Sequence, residues 1–445
     1  MKKSLFLIIF ILIVSLFLLS TSINHVIIIA VDTLRADHLG VYGYYRNTSP
    51  NIDDFRKDSI LFENFYTVTP LTTPAFGSML TSLYPHQHGA KRNGLSLFFK
   101  IKTLPYYLKR NGYYTSAFIS NWPLRKKLSD FNRDFDDYVE AFNKKRWFGI
   151  LNKEGTADEV NKRVINWLDK NYNKKIFLWV HYSDPHAPYI NHKKFNFKKN
   201  KIKNEFYPPR SDYGLINKYD SEIAFTDFYI GKLIKRLKDL KIYKKSLIIF
   251  LSDHGESFGE HNYYRHGRKL YNSTMKVPLI IKLPDNKDAN STIENPVQII
   301  DIVPTIYKEL GLKYEKNFQG FSVFDSNPDR FLFFETYKGA VIVKKGNKFK
   351  RKVTPIRFGI FHDFKKLIFN FKKKKDFYLF DLKNDIFEVK NIYKKSKDEI
   401  KLEKKKLIDY FKETLKFIKF TKQYYKQRNT LSKEDIDKLK QLGYL

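Results

Sequence analysis

Two aspartates follow apolar runs that predict β-strands, and the second is followed by a histidine. Asp32 comes directly after residues 25–31, and Asp253 and His254 come directly after residues 246–252. Open α/β sheets bind their ligands at the carboxyl ends of such strands. One aspartate in this position is usually a cap or turn residue. Two of them with an imidazole beside one indicate a shared site.

This set of side chains suits a metal ion. Two carboxylates and one imidazole favour one divalent cation of intermediate hardness, which leaves Mn²⁺, Zn²⁺, Mg²⁺ and Ca²⁺ open. Thr72 could complete the shell, and a metal-bound hydroxyl ionises far more readily than a free one. Pro74 and a helix predicted over residues 75–83 place Thr72 near a helix N-terminus, which favours phosphate or sulfate.

The elements that position these residues alternate along the chain. Apolar runs alternate with amphipathic stretches up to about residue 310, which predicts an α/β fold with a mostly parallel central sheet and helices on both faces. The predicted strands are residues 25–31, 113–119, 175–181, 246–252 and 277–283, and the predicted helices are 50–57, 105–111, 158–171 and 223–240.

The pattern of predicted secondary structure changes after residue 326. Short strands separated by turns and lysine clusters predict a smaller antiparallel subdomain over residues 327–392, beside a catalytic domain over residues 23–326. The predicted strands there are 330–335, 340–344, 357–362, 366–369 and 377–382. Residues 393–445 are predicted to form a basic helical tail.

The N-terminus and the net charge bear on location and partners. Two lysines precede an apolar run over residues 5–19, so residues 1–22 are predicted to be an uncleaved membrane anchor with the catalytic domain outside the cytoplasm. The run is also long for a cleaved signal. The net charge of +35 suits an anionic substrate, an anionic membrane surface or nucleic acid, but compositional enrichment in Lys, Asn, Ile, Phe and Tyr explains it equally.

At the level of motifs the chain resembles the sulfatase family of the alkaline phosphatase superfamily. The resemblance covers nearly everything after the N-terminal run, in the family's order. It is carried by residues 32–44 and 49–53, 80–89, the Asp-Pro-His-Ala-Pro-Tyr segment at 184–189, residues 253–267, 277–281, 301–305, 319–320 and 380–385.

The resemblance implies roles for single residues. Asp32, Asp253 and His254 would hold the metal, and Thr33 stands where many sulfatases have a second aspartate. His186 would contact the ester anion, and His266 would lie near the leaving group, where an imidazole can donate a proton. Two further candidates for anion contacts are His181 and Arg268.

The chain departs from the sulfatase pattern at the nucleophile. Sulfatases carry Cys or Ser there, which an activating enzyme oxidises to formylglycine, and an Arg follows Pro. Here Thr72 stands at the nucleophile position and Phe76 replaces the Arg. A threonine cannot give the aldehyde because its β-carbon carries a methyl group. Thr72 resembles instead the phosphodiesterases, phosphonate hydrolases and lipid-headgroup phosphotransferases, which use a plain Thr alkoxide.

These observations predict a metal-dependent hydrolase or transferase that acts on phosphoesters through a covalent Thr72 intermediate. Two alternatives remain open: a sulfatase that does not use formylglycine, and a catalytically weak relative that serves as a binding module. The substrate is expected to be an anionic ester on a lipid headgroup, a glycan or a small molecule. Nucleic acid is not an expected partner, because the chain has no motif for it.

Overall fold

The protein was analysed as a computed structural model, which describes residues 25–146, 151–153, 155–197, 211–325, 327, 329–345, 348–371 and 376–424. Its main feature is an eight-stranded sheet. From edge to edge the strands are Ser291–Ile293, Ile60–Phe62, Leu279–Lys282, Ser246–Ser252, His25–Val31, Ile176–Tyr182, Tyr114–Ile119 and Asp137–Glu140.

The centre of this sheet is parallel, as predicted. His25–Val31 pairs in parallel with Ile176–Tyr182 on one side and with Ser246–Ser252 on the other. Leu279–Lys282 is the antiparallel exception, since it pairs in that sense with both of its neighbours. The predicted mostly parallel α/β fold is therefore confirmed.

Helices cover both faces of the sheet because its central strands are apolar on both sides. In the strand His25–Val31, Val26, Ile28 and Ala30 pack into one core cluster, and the alternate residues pack into the other. The α-helices are Pro50–Lys57, Thr72–Thr81, Pro85–His88, Leu104–Arg110, Lys126–Ser129, Ala157–Asn171, Tyr213–Asp239, Asn272–Met275, Ile302–Glu309, Tyr393–Ser396 and Lys401–Tyr424.

A separate four-stranded antiparallel sheet follows, as predicted. Its strands are Leu332–Lys345, Lys348–His362, Lys365–Asn370 and Asp376–Asp381, and each pairs with the next. The two runs at 330–335 and 340–344 form one long strand instead of two. The C-terminal helix Lys401–Tyr424 buries Leu407 against this sheet.

Short two-stranded pairings complete the fold. They join Phe65–Tyr66 to Val297–Gln298, Ser257–Phe258 to Tyr264–Arg265, and Asn143–Arg146 to Leu151–Lys153. None of the helices in the described ranges is both long and apolar enough to cross a bilayer. The predicted anchor over residues 1–22 lies outside those ranges, as do residues 425–445 of the predicted tail.

Candidate metal centre and active site

The strand register explains why Asp32 and Asp253 meet. Val31 and Ser252 are paired across the parallel strands, so the residues that follow them lie side by side at the carboxyl edge of the sheet. Asp32, Asp253 and His254 each offer a ligand atom, and these atoms all lie within 4.8 Å of one another. All three residues are fully buried. The sequence-predicted cluster is therefore assembled in the fold.

The spacing between these atoms is that of ligands around one ion. His254 Nε2 lies 3.4 Å from Asp253 Oδ2 and 3.8 Å from Asp32 Oδ1. Ligands bound at about 2.1–2.3 Å in a tetrahedral arrangement stand roughly 3.4–3.8 Å apart. Asp32 Oδ1 and Asp253 Oδ2 are buried and accept no hydrogen bond from any residue that the structure describes. Two orphaned carboxylate oxygens that face one imidazole nitrogen fit a divalent cation.

The protonation of His254 suits a metal ligand. Its Nδ1 donates to the Gly255 carbonyl at 3.0 Å, which directs the Nε2 lone pair towards the carboxylates. Burial, with the charge of His266 as a further cause, lowers the pKa of His254 to about 3. The ring is therefore neutral at physiological pH, as metal coordination requires.

The two carboxylates repel one another. Burial and the charge of Asp32 raise the pKa of Asp253 well above its usual value. Burial would also raise the pKa of Asp32, but the hydrogen bond with His181 and the charges of His186 and His254 hold it well below its ordinary range. A bound cation would remove this repulsion, because it interacts favourably with both carboxylates.

The Thr72 side chain lies next to this cluster. It is the first residue of the helix Thr72–Thr81, which begins three residues before the predicted start at residue 75. Its Oγ1 lies 3.4 Å from His254 Nε2, and the side chain is fully buried. The hydroxyl thus points at the ring of candidate ligands from a helix N-terminus, where anions are favoured.

The two other predicted catalytic histidines lie next to this cluster. The His266 ring is 4.3 Å from the His254 ring and 5.3 Å from the His186 ring, measured between centroids. Burial lowers the pKa of His266 to about 4; the charge of Asp32 raises it, and the charges of Arg265 and Arg92 lower it further. Burial also lowers the pKa of His186, against the charge of Asp32.

Of the two further candidates, only His181 reaches the ligand set. Its Nε2 lies 3.6 Å from Asp32 Oδ2. Arg268 is exposed, and its peptide N–H donates to the Tyr263 hydroxyl. Thr33 Oγ1 donates to the Asp32 carbonyl at 2.7 Å, and the Thr33 amide donates to Asp253 Oδ1 at 3.2 Å.

Three contributors to the site were missed by the sequence analysis. Asn121 donates its side-chain amide to Asp32 Oδ2. It lies just beyond the strand Tyr114–Ile119. A search for polar residues at the carboxyl ends of strands would have found it if the search had included amides as well as acids. Glu256 accepts from His266 Nδ1 at 3.1 Å. The charge of Arg92 lowers the pKa of His266, and no local feature of the sequence indicates this effect.

Phe76, which stands in place of the family's arginine, has a packing role. It is fully buried, and its ring lies 5.0 Å from Trp179 and 5.2 Å from His181 between centroids. The edge-on contact with His181 steadies the imidazole that faces Asp32. Phe76 therefore contributes aromatic packing at this position.

Together the fold and this centre define a class of protein: an α/β protein with a candidate divalent-metal site at the carboxyl edge of its sheet. The chain belongs to the sulfatase family. The sulfatase family profile matches residues 24–312, and the profile of the N-sulphoglucosamine sulphohydrolase C-terminal region matches residues 259–416.

Individual relatives support the same assignment. An uncharacterized sulfatase of Escherichia coli (strain K12), YidJ, is 23% identical over 417 residues, covering 82% of this chain and 82% of that protein. Among solved structures, a protein in complex with its substrate D-glucosamine-2-N,6-O-disulfate has a TM-score of 0.66 at 20% identity, covering 88% of this chain and 98% of its own.

One structural neighbour is named for phosphorus chemistry. The phosphonate monoester hydrolase of Agrobacterium radiobacter has a TM-score of 0.66 at 18% identity, covering 88% of this chain and 95% of its own. The chain is thus a sulfatase-family hydrolase acting on sulfate or phosphate esters. The names of the relatives fit the sulfate-ester alternative better than the phosphoester prediction, without excluding the latter.

Proposed function

We propose that the protein is a metal-dependent phosphoester hydrolase or transferase whose nucleophile is the Thr72 hydroxyl. The observation that carries this proposal is the position of Thr72 Oγ1, 3.4 Å from His254 Nε2, the same nitrogen that lies 3.4 Å from Asp253 Oδ2 and 3.8 Å from Asp32 Oδ1. A bound divalent ion would lower the pKa of this hydroxyl and neutralise charge on the ester.

Each neighbouring side chain has a role in this proposal. Asp32, Asp253, His254 and the Thr72 hydroxyl would hold the ion. Thr72 Oγ1 would lose its proton to water, attack the phosphorus and form a phospho-threonine ester as the bond to the leaving oxygen breaks. His186 would contact the remaining ester oxygens, and the positive end of the helix Thr72–Thr81 would favour their negative charge.

His266 would serve the leaving group. Its Nδ1 contacts Glu256 Oε1 at 3.1 Å, which orients the ring beside the His254 and His186 rings. With a pKa lowered to about 4 the free imidazole is neutral. An anionic ester bound beside the ring raises that pKa, so the ring would carry a proton to the leaving oxygen only once substrate is present. Water or an acceptor alcohol then cleaves the phospho-threonine and regenerates Thr72.

A second candidate, sulfate ester hydrolysis, is favoured by the names of the relatives. The aldehyde route does not apply, because Thr72 keeps a methyl group on its β-carbon. Sulfate transfer would therefore also have to pass through the Thr72 oxygen. The third candidate, a binding module, predicts metal binding without turnover of either ester.

A pair of chromogenic esters distinguishes the three candidates. An aryl phosphodiester and an aryl sulfate would be assayed with Mn²⁺, Ca²⁺, Mg²⁺ and Zn²⁺ in turn. Turnover of the phosphodiester alone supports the main proposal. Turnover of the sulfate alone supports sulfate ester hydrolysis instead. No turnover of either by protein that still binds metal supports the binding module.

Substitution of Thr72 tests the nucleophile. Thr72→Ala should lower kcat at least about 10³-fold, while Thr72→Ser, which keeps the hydroxyl, should lose about tenfold or less. Thr73→Ala is the matched control, since the Thr73 hydroxyl donates to the Pro123 carbonyl instead of facing the cluster. Near-normal rates in Thr72→Ala protein would reject the covalent route.

A further inference from the structure

The Tyr189 hydroxyl reaches the active centre through Glu256. Tyr189 lies three residues after His186, on the loop that follows the strand Ile176–Tyr182. Its hydroxyl donates to Glu256 Oε2 at 2.7 Å, and the other carboxylate oxygen, Oε1, lies 3.1 Å from His266 Nδ1. The Glu256 side chain is fully buried. One carboxylate therefore joins the loop that carries His186 to the segment that carries His266.

The backbone of Glu256 is held in place independently of its side chain. Arg35 Nη1 donates to the Glu256 carbonyl at 3.1 Å, and the Gly255 amide donates to the Thr274 carbonyl at 3.0 Å. A Cβ atom on Gly255 would stand only 2.2 Å from the Ser273 carbonyl oxygen, so the two backbones pass too closely for any side chain. The carboxylate is therefore attached to a fixed point beside the centre.

The Tyr189 ring is also fixed by its neighbours. Its centroid lies 5.8 Å from the Tyr219 ring and 5.9 Å from the Phe258 ring, and both contacts are edge-on. Tyr219 and Phe258 are fully buried, and the Tyr219 hydroxyl donates to the Thr33 carbonyl at 2.6 Å. Because aromatic packing holds the Tyr189 ring, the direction in which its hydroxyl points is set before substrate binds.

The hydrogen bond from Tyr189 limits how the Glu256 carboxylate can turn. A carboxylate only accepts hydrogen bonds, so with Oε2 held by the hydroxyl the other oxygen keeps its place and favours a proton on His266 Nδ1. In histidine–carboxylate pairs of this kind, the carboxylate holds one ring nitrogen and the other nitrogen exchanges protons with the substrate. Apolar replacements of buried ions are often neutral or stabilising, so packing alone does not account for a buried carboxylate here.

We propose that Tyr189 is a positioning residue for departure of the leaving group, and that it acts on His266 through Glu256. This inference rests on the proposed function, because it takes His266 as the proton donor to the leaving oxygen. One loop would then serve both ends of the ester, with His186 at the anion and Tyr189 acting on the side of the leaving oxygen.

The assignment also narrows the substrate class. In the proposed step the bond from Thr72 Oγ1 to phosphorus forms, the bond from phosphorus to the leaving oxygen breaks, and the proton on the His266 ring passes to that oxygen. The leaving group departs as a neutral alcohol and the ring becomes neutral. Such assistance matters when the leaving alcohol is a weak acid, so the substrate is an ester of an alkyl alcohol rather than of an acidic phenol or enol.

Two phosphodiesters that differ only in the leaving group test this role in the metal-loaded protein. Tyr189→Phe should lower kcat for methyl phenyl phosphate about tenfold, and Glu256→Gln about 10²-fold. Both variants should stay within about threefold of the wild type for methyl 2,4-dinitrophenyl phosphate, whose leaving group needs no proton. A purely structural role would lower both rates equally. Tyr182→Phe is the matched control, since Tyr182 is a buried tyrosine whose hydroxyl donates to Asn161.

The variant His266→Ala separates failure of this inference from failure of the proposed function. It should show the same dependence on the leaving group as Glu256→Gln. If it does and Tyr189→Phe lowers both rates equally or neither, the positioning role is overturned while the proposed function stands. If His266→Ala lowers both rates equally, the proposed role of His266 is wrong, and the inference fails with it.

A spectroscopic measurement tests the positioning without turnover. In the Mg²⁺-loaded protein with ¹⁵N-labelled histidine, the ring signals of His266, assigned by their loss in His266→Gln, should show one tautomer with the proton on Nδ1. In Glu256→Gln that restriction should be lost, because an amide can present either its oxygen or its NH₂ group to the ring. Tyr189→Phe should shift the same signals less. A proton on Nε2 in the wild type, or unchanged signals in both folded variants, would overturn the proposal.

Discussion

Asp32 and Asp253 place two carboxylates in a site that excludes water. Each has one buried oxygen without a hydrogen-bond donor among the described residues, and the charge of Asp32 raises the pKa of Asp253. Such an arrangement is unfavourable on its own, since buried charges need a partner. The missing partner is a cation, so the metal should contribute to the stability of the fold as well as to chemistry.

The substitution Asp253→Asn should separate two effects on stability: repulsion between the two carboxylates and stabilisation by the bound metal. The amide removes the repulsion with Asp32, so the metal-free variant should unfold at a temperature equal to or above that of the metal-free wild type. When Mn²⁺ is present at a hundredfold excess over its Kd, the free energy of unfolding of the wild type should rise by about 2.7 kcal/mol. That of the variant should change little. Thermal unfolding with Mn²⁺ and after chelation measures both. An equal rise in Tm in both proteins would contradict the assignment of Asp253 as a ligand.

Residue types and spacing were enough to predict the metal cluster because each ligand directly follows a buried strand. The same information did not predict the neighbours that tune it. Asn121 and Glu256 act through contacts with Asp32 and His266 that only the folded chain brings about. Phe76 was recognised as a departure from the family, but its ring contact with His181 depends on the packing of a helix against the sheet.

At the scale of elements, long buried strands were predicted within about a residue, whereas short strands at or next to an edge of the sheet, such as Asp137–Glu140 and Ile60–Phe62, were not. Three or four residues carry too little periodicity to distinguish a strand from a loop. The helix Tyr213–Asp239 begins ten residues before its predicted start at residue 223. Its start is set by Asp212, which accepts hydrogen bonds from Gly214 and Leu215 at the N-terminus.

Lys282 connects the antiparallel strand Leu279–Lys282 to the loop that enters the strand Ser246–Ser252. Its ammonium group is buried and donates to the carbonyls of Tyr243, Lys244 and Ser246. Lys282→Met should therefore lower the free energy of unfolding by about 2–4 kcal/mol, because it leaves buried carbonyls without donors. Lys57→Met is the control, since Lys57 forms only an exposed pair with Asp54.

The stabilisation by Lys282 should depend on pH with a defined sign. Burial lowers the pKa of Lys282 to about 8, from 10.5 for a free lysine. Between these values the unfolded chain binds more protons than the folded one, so the free energy of unfolding should rise as pH increases from about 8 to about 10.5. Lys282→Met should lack this rise in denaturant titrations at pH 7.5 and 9.5. Parallel pH curves for both proteins would contradict the shifted pKa.

At the scale of the whole molecule, Glu335 links the small sheet to the main domain and to the C-terminal helix. Its carboxylate is fully buried and accepts from the amide and Nδ1 of His86, from the Tyr337 hydroxyl and from the Tyr410 hydroxyl. Arg330 and Asp301 form a second buried link across the same junction. The Tyr410 contact holds the helix Lys401–Tyr424 against the small sheet, and the same helix packs on the helix Pro85–His88.

Glu335→Ala should destabilise the protein by about 3–5 kcal/mol, since it leaves His86 and two buried hydroxyls without their acceptor. Denaturant unfolding followed by fluorescence would measure the loss. Asp363→Ala provides the comparison, because Asp363 forms an exposed pair with Lys383 and should change stability by less than about 0.5 kcal/mol. Similar losses in the two variants would mean that the junction does not depend on Glu335.

The predicted location can be tested because the anchor and the catalytic centre are separated along the chain. The first described strand begins at His25 and the first ligand is Asp32, so deletion of residues 1–22 should leave ester turnover within about twofold. The full chain should remain with membranes after a carbonate wash, whereas the shortened chain should be released. If the shortened chain binds anionic vesicles at low salt only, the net charge of +35 provides surface attraction alone. Release of the full chain by carbonate would contradict the anchor.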